Sequence, residues 1–313
     1  MTQRVFICPG QGSQYVGMGQ ELAAAFPVAK DVFDEVDAAL DQPLFELICN
    51  GPEENLTLTE NAQPALMAVS VAVFRVLQQE AGLNLKDHAA YVAGHSLGEY
   101  SALVIAGTLE LADSARLLKL RGQAMQRAVP VGQGAMAAIL GLDFDDVEQI
   151  ARDASDSETC QAANDNSVGQ VVISGHKGAV ATAIALATER GAKKAIELPV
   201  SAPFHSALMA PAAQEMAQAL AGVDLRPPAV PVVANVIASA ASDPAEIRRL
   251  LVDQVTGTVR WRESVLWMRD QGVSAFIELG AGKVLSGLIR RIDKELSAQS
   301  IETPEQIQGF KLS

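Results

Sequence analysis

The stretch "AAYVAGHSLGEYSALVIAG", residues 89–107, decides how this chain folds. "AAYVAG" is a short apolar run of strand character, and "LGEYSALVIAG" resumes at helical spacing until Gly107. Between them, Gly94-His95-Ser96-Leu97-Gly98 fits G-x-S-x-G. At a strand-to-helix junction that pattern is a nucleophile elbow. Gly94 and Gly98 lack the Cβ atoms that would clash in so sharp a turn. The helix start also aims unpaired N–H groups at any oxyanion near Ser96. The plain alternative is a small residue in a tight turn, and the junction favours the nucleophile.

An elbow needs a layered α/β core, and the surrounding sequence supplies one. The 313 residues are 49% hydrophobic, 19% charged and only 4% aromatic. Small aliphatic side chains of this kind let helices lie close on a sheet. "RVFICPG" (4–10) reads as a buried strand entering a glycine turn, and helical periodicity follows over Glu21–Val36. Leu66, Val69, Val73 and Leu77 mark a helix from Gln63 to Ala81, stopped by Gly82, and another runs over Ala112–Ala128.

Residues 129–200 then change texture to a β-α-β-β-α-β order, the ferredoxin-like unit. The expected organisation is a core of residues 1–128 and 201–313 with a parallel sheet, interrupted by this inserted subdomain. After Pro203 come a helix near Ala207–Ala221, the strand "VPVVANV" (230–236) and helices across 244–257 and 260–271. The strand "VSAFIELG" (273–280) and a last helix from Lys283 complete the core, and residues 297–313 read as a polar surface tail.

The net charge, 24 − 37 = −13, argues against nucleic acid as the main partner. Cys8, Cys49 and Cys160 are odd in number and far apart, which fits small buried residues better than disulfides or a zinc site. The first residues hold only four apolar positions in a row, and no stretch reaches membrane-spanning length. A cytoplasmic location is expected.

A serine nucleophile needs a base, and the chain has four histidines. His95 adjoins Ser96, and neighbouring side chains on an elbow diverge. His88 precedes the incoming strand at its far end, and "SGHKG" places His176 in a solvated turn of the insertion. His205, in "SAPFHSALM" (201–209), sits where the chain re-enters the core and is the best candidate, a satisfied core histidine being the alternative. No acidic third member stands out near it; an aspartate elsewhere or a backbone carbonyl could hold its other ring nitrogen.

Two glycine loops imitate nucleotide sites and fail. In "GQGSQYVGMG" (10–19) Tyr15 occupies the third glycine position of a dinucleotide fingerprint. In "GAGKVLSG" (280–287) a phosphate loop would need Gly at 277 and Ser or Thr at 284, where Ile277 and Val284 stand. Both loops follow strands and so belong at the same rim as Ser96. Arg121, in "LLKLRGQAMQ" (117–126), is either a solvated surface residue or a buried guanidinium that needs a carboxylate, from the protein or from a substrate.

Seven blocks stand in order along nearly the whole chain: "PGQGSQ" (9–14), "GHSLGEYSAL" (94–103), "LRGQAMQ" (120–126), "NSVGQVVISG" (166–175), "PFHSALM" (203–209), "LVDQV" (251–255) and "ELGAGKVLSGL" (278–288). Together they resemble the malonyl-CoA:acyl carrier protein transacylases and the related acyltransferase domains of polyketide synthases. The resemblance implies an α/β-hydrolase-like core with a ferredoxin-like insertion, and ping-pong transfer through a Ser–His dyad. By it Ser96 is the acyl-carrying nucleophile, and His205 is its base, oriented by main-chain carbonyls. Gln11 and Leu97 supply the N–H groups of the oxyanion hole, Arg121 pairs with the malonyl carboxylate, and Gln254 completes the site beside His205. Phe204 crowds an α-methyl group, favouring malonyl, whereas Val168 stands where many relatives have proline.

The implied partners are malonyl-CoA and phosphopantetheinylated acyl carrier protein, with no metal or bound cofactor and a monomeric chain. Acyl carrier proteins are acidic, so docking would need a local basic patch. Candidates are Arg190/Lys193/Lys194, Arg248/Arg249 and Arg290/Arg291/Lys294. A carrier protein of a polyketide pathway is an alternative recipient, and a serine esterase shares the elbow but leaves Arg121 unexplained.

Overall fold

Residues 3–200 and 202–312 are described by a computed structural model; the expected boundary at residue 201 and the ends at residues 1 and 313 lie outside the described residues. The main sheet holds β1 (Gln3–Cys8), β2 (Tyr91–Gly94), β7 (Val232–Ala234), β8 (Ser239–Ala241), β9 (Val273–Leu279) and β10 (Ser297–Ile301). Its order is β10-β9-β1-β2-β7-β8, parallel except for the β7–β8 hairpin. Val5 to Cys8 are all fully buried, because both faces of the sheet are covered.

Alternate side chains of one strand serve different layers. Phe6 and Cys8 join the large cluster packed by α5 (Thr59–Ala81), α7 (Leu97–Ile105) and α8 (Leu111–Ala128). Val5 and Ile7 face the opposite layer, formed by Trp261, Val265 and Met268 of α13 (Trp261–Asp270) and Leu285 and Ile289 of α14 (Val284–Ile292). Further helices are α3 (Leu44–Asn50), α4 (Glu53–Thr57), α6 (Leu85–His88), α11 (Ala210–Ala221) and α12 (Pro244–Thr256). The helical periodicity over Glu21–Val36 is split into α1 (Gln20–Ala25) and α2 (Pro27–Leu40), because Pro27 has no N–H to continue a helix and instead starts one.

The insertion is a second sheet of β3 (Gly134–Leu140), β4 (Cys160–Ser167), β5 (Gln170–His176) and β6 (Lys194–Glu197). Its order is β4-β5-β3-β6 with every pairing antiparallel, backed by α9 (Phe144–Asp153) and α10 (Lys177–Glu189). This is the expected βαββαβ arrangement beside a parallel sheet. β4 is tied to the core where Asp165 N–H donates to Val259 O at 2.9 Å and the buried Asp165 carboxylate accepts from Arg262 Nε at 2.9 Å.

The expected polar tail is overturned outright. Residues 297–312 are no tail: β10 extends the main sheet beside β9, and α15 (Pro304–Gly309) follows it. Ile301, Ile307 and Phe310 are buried, so three well-spaced apolar residues outweigh a polar average. The strand expected over "VPVVANV" is shorter, three residues in β7, and it turns back into β8.

Candidate active site

The carboxyl ends of β1 and β2 open into a cavity of about 390 Å³. Its wall includes Gln11 after β1, Ser96 and Leu97 at the elbow, and Arg121, Phe204 and His205. The elbow is sharp: Ser96 has φ 53° and ψ −111°, and the next residue already begins α7. A Cβ on Gly94 would stand 1.9 Å from Gly98 O, and one on Gly98 would stand 2.3 Å from Cys8 O. The two glycines of the pattern are therefore demanded by contact. Asn235, at the end of β7, clamps both sides of the turn. Its Oδ1 accepts from Ser96 N–H and its Nδ2 donates to Gly94 O, each at 2.7 Å.

His205 comes to Ser96 across 109 residues of sequence, with Nε2 2.7 Å from Ser96 Oγ. Its Nδ1 lies 2.9 Å from the backbone oxygen of Gln254. A carbonyl can only accept, so Nδ1 carries the hydrogen and Nε2 is left to accept from the serine hydroxyl. Burial first, and then the positive charge of Arg121, push the imidazole down to about 3, although the Gln254 carbonyl pulls the other way. The ring is neutral at pH 7, as an acceptor of the serine proton must be.

Arg121 is 1% exposed, which settles the two readings of this residue in favour of the buried one. Gly122 allows it: a Cβ there would meet Glu60 Cα at 2.5 Å, so α8 crosses close to the start of α5. Nη1 donates to Gln63 Oε1 at 2.8 Å, and Nη2 to Gln254 Oε1 at 2.9 Å and Ser96 Oγ at 3.2 Å. Its Nε has no partner among the described residues, and none of its hydrogen bonds goes to a carboxylate. Burial lowers its proton affinity, an effect that Tyr100 and Glu99 oppose.

The remaining expected residues fall around this centre. Gln254 is fully buried behind the wall. The backbone N–H groups of Gln11 and Leu97 have no hydrogen-bond partner among the described residues, and both residues line the cavity. His95 turns away from Ser96 toward Asn166 Oδ1, 2.8 Å from its Nε2. His88 ends α6 outside the cavity wall. His176 is not in a solvated turn: it ends β5, and its Nδ1 accepts from Thr159 N–H at 3.0 Å.

Of the two glycine loops, "PGQGSQ" lines the cavity and "GAGKVLSG" does not. At the latter, the buried Glu278 carboxylate accepts from Leu285 N–H at 3.0 Å and Ser286 N–H at 2.8 Å, so the helix start already holds an anion. None of the basic clusters lines the cavity. Arg190 pairs with Asp153, and Arg249 with Asp253 at 2.5 Å.

Sequence reasoning missed Gln63, Glu99 and Asn235. The last had a signal: a polar residue ending a buried apolar strand, in "VVANV". Among the described residues, no cluster of three His, Cys, Asp or Glu side chains could hold a metal ion, and no helix is long and apolar enough to cross a membrane.

The arrangement can activate a serine hydroxyl beside a buried cation whose hydrogen bonds, among the described residues, reach no carboxylate. The acyl transferase domain family matches residues 5–304. The malonyl CoA-acyl carrier protein transacylase of Escherichia coli (strain K12) is 47% identical over 304 residues, 97% of each chain. That of Bacillus subtilis (strain 168) is 45% identical over 309 residues, 98% of this chain and 96% of the relative. Among solved structures, the acyl-carrier-protein-S-malonyltransferase of Bartonella henselae superposes with a TM-score of 0.96 at 55% identity, covering 98% of both chains. A type II polyketide synthase acyl-carrier protein in complex with its malonyl-transacylase gives 0.94 at 43%, again with 98% coverage of both. The chain belongs to the acyl transferase domain family, alongside the malonyl CoA-acyl carrier protein transacylases.

Proposed function

We propose that this enzyme moves a malonyl group from malonyl-CoA to the phosphopantetheine thiol of acyl carrier protein, through a malonyl ester on Ser96. The observation that carries this reading is Arg121: a buried guanidinium 3.2 Å from Ser96 Oγ, with no hydrogen bond to a carboxylate among the described residues. An acyl group ending in a free carboxylate pairs with that guanidinium and is thereby oriented on the serine.

His205 Nε2 accepts the Ser96 proton as Oγ attacks the thioester carbon. The oxyanion is held by the N–H groups of Gln11 and Leu97, each worth about a hundredfold in rate. The C–S bond breaks and CoA leaves as the thiol, taking the proton from His205. The carrier thiol then gives its proton to His205 and attacks the ester, and Ser96 is regenerated. The residues suffice without metal or bound cofactor. Phe204 narrows the cavity against a substituted malonyl group. In this reading residues 1–128 and 201–313 form the catalytic core, residues 129–200 are the inserted subdomain, and the chain works as a cytoplasmic monomer in fatty acid synthesis.

The structural likeness to a malonyl-transacylase bound to a polyketide acyl-carrier protein favours a second recipient, with the same chemistry on the same residues. Simple ester hydrolysis fits less well, since it gives Arg121 no task.

Intact-protein mass spectrometry after mixing with malonyl-CoA or acetyl-CoA tests the reading. A malonyl adduct is expected, absent in Ser96→Ala and shifted toward acetyl in Arg121→Ala. No adduct with either thioester would overturn it.

A further inference from the structure

Glu99, three residues after Ser96, is 1% exposed and lies outside the cavity wall. Its Oε2 accepts from Asn235 N–H and from Gln254 Nε2, both at 2.9 Å. The same Nε2 donates to Ser96 O at 3.1 Å, while Gln254 Oε1 accepts from Arg121 Nη2 at 2.9 Å. With acceptors on one side of its amide and a cation on the other, Gln254 has a single satisfiable orientation. The amide thus joins a buried carboxylate to a buried guanidinium in one line.

Building on the malonyl reading, we propose that Glu99 is the resident counter-charge of Arg121 and takes up a proton when an acyl carboxylate occupies that guanidinium. Two buried carboxylates sharing one guanidinium leave a negative charge uncompensated, and neutralising Glu99 removes it. Proton uptake and carboxylate binding therefore favour each other. Glu99 acts through Gln254 and touches no reacting atom, so it is a positioning residue.

The surroundings make Glu99 the group that responds. Burial raises its carboxyl to about 7, against the pull of Asn235 N–H, Gln254 and Arg121. On its own helix, Tyr100 is pushed up to about 12, also by burial first. From α8 comes Arg121, and from β1 comes Cys8, whose thiol burial raises far above neutrality. The buried residues of α5, β2 and β7 include no ionisable side chain, and α12 contributes the neutral Gln254. At the elbow, burial lowers His95, while His205 stays neutral down to about 3.

Two measurements test this. Calorimetry near pH 7.5 in buffers of different ionisation enthalpy counts protons taken up during acylation of the full chain. Ester formation on Ser96 releases CoA as the thiol and is itself proton-neutral. Malonyl-CoA is expected to draw in a fraction of a proton, roughly half, that acetyl-CoA does not.

Glu99→Gln keeps an acceptor oxygen for Asn235 and Gln254 and deletes the charge. In the wild-type chain the half-saturating malonyl-CoA concentration for acylation should rise about fivefold from pH 6 to 8.5, a coupling of ordinary size. In the variant it should stay flat at the low-pH value, and acetyl-CoA should show no such dependence in either. Equal proton uptake with both thioesters, or the same pH profile in E99Q as in wild type, overturns the proposal. That failure is distinguishable from failure of the malonyl reading, which would show as a missing or Arg121-independent malonyl adduct.

Discussion

Ser96 and His205 both stand at positive φ, 53° and 56°, and their side chains meet at 2.7 Å. Each such backbone costs about 1–3 kcal/mol and persists only where its neighbours over-determine it. Asn235 does this for the serine. The Gln254 carbonyl, with Ser206 Oγ donating to Pro203 O at 2.7 Å, does it for the histidine. The partner of the ring is therefore a main-chain carbonyl and not an acidic side chain.

The elbow should be intolerant of a single methyl group. Gly98→Ala places a Cβ 2.3 Å from Cys8 O, a backbone atom that cannot yield cheaply. Thermal denaturation should show a loss of about 3 kcal/mol or more, at or beyond the upper end of ordinary overpacking. An unchanged Tm would refute the contact.

Gln254→Ala separates two functions of one residue. The backbone carbonyl on His205 remains, while the acceptor for Arg121 and the donor to Ser96 O and Glu99 are lost. Orphaned buried groups cost about 1–3 kcal/mol each. Acylation by malonyl-CoA should fall further than acylation by acetyl-CoA, measured as the ratio of adduct-formation rates. An equal loss for both would show that the side chain does not govern Arg121.

The histidine sets a pH signature. His205 is held from 6.5 down to about 3, chiefly by burial and then by Arg121. Acylation by acetyl-CoA should therefore show no acid limb near pH 6.5. For stability, the unfolded chain binds this proton between those values and the folded chain does not. The contribution is whole above 6.5 and is lost as pH falls toward 3. Comparing wild type with His205→Gln in urea titrations across pH 4–8 checks the sign, because the variant lacks this dependence.

The joint between core and insertion carries its own test. Asp165 is fully buried and bound by the partly exposed Arg262. Burial outweighs that pairing and raises the carboxyl. Arg262→Ala strands the charge, with a loss of about 1–3 kcal/mol at pH 8 after allowing for solvent at the arginine. Lowering the pH lets Asp165 take up a proton, so the deficit should shrink toward pH 5. A deficit independent of pH would assign the loss to packing.

Much of this molecule is legible without coordinates. The elbow is, because a strand, two glycines and a helix are neighbours in the chain, and local spacing reports local geometry. The inserted βαββαβ unit is, because alternating and helical periods change over within a few residues. Residues 297–312 are not: β10 has meaning only beside β9, and an edge strand with polar positions looks like a tail when read alone.

Local spacing alone placed the turn at the serine, singled out one histidine, and left Arg121 either solvated or paired. Packing in three dimensions buries Arg121 with no carboxylate among its described hydrogen-bond partners, sets the Gln254 carbonyl on His205, and brings Glu99 and Asn235 to brace the elbow. The physical reason is separation along the chain. His205 and the Gln254 carbonyl are 49 residues apart, and Asn235 N–H and Glu99 are 136 apart. Hydrogen bonds that close such distances are set by how layers pack, which no local period encodes.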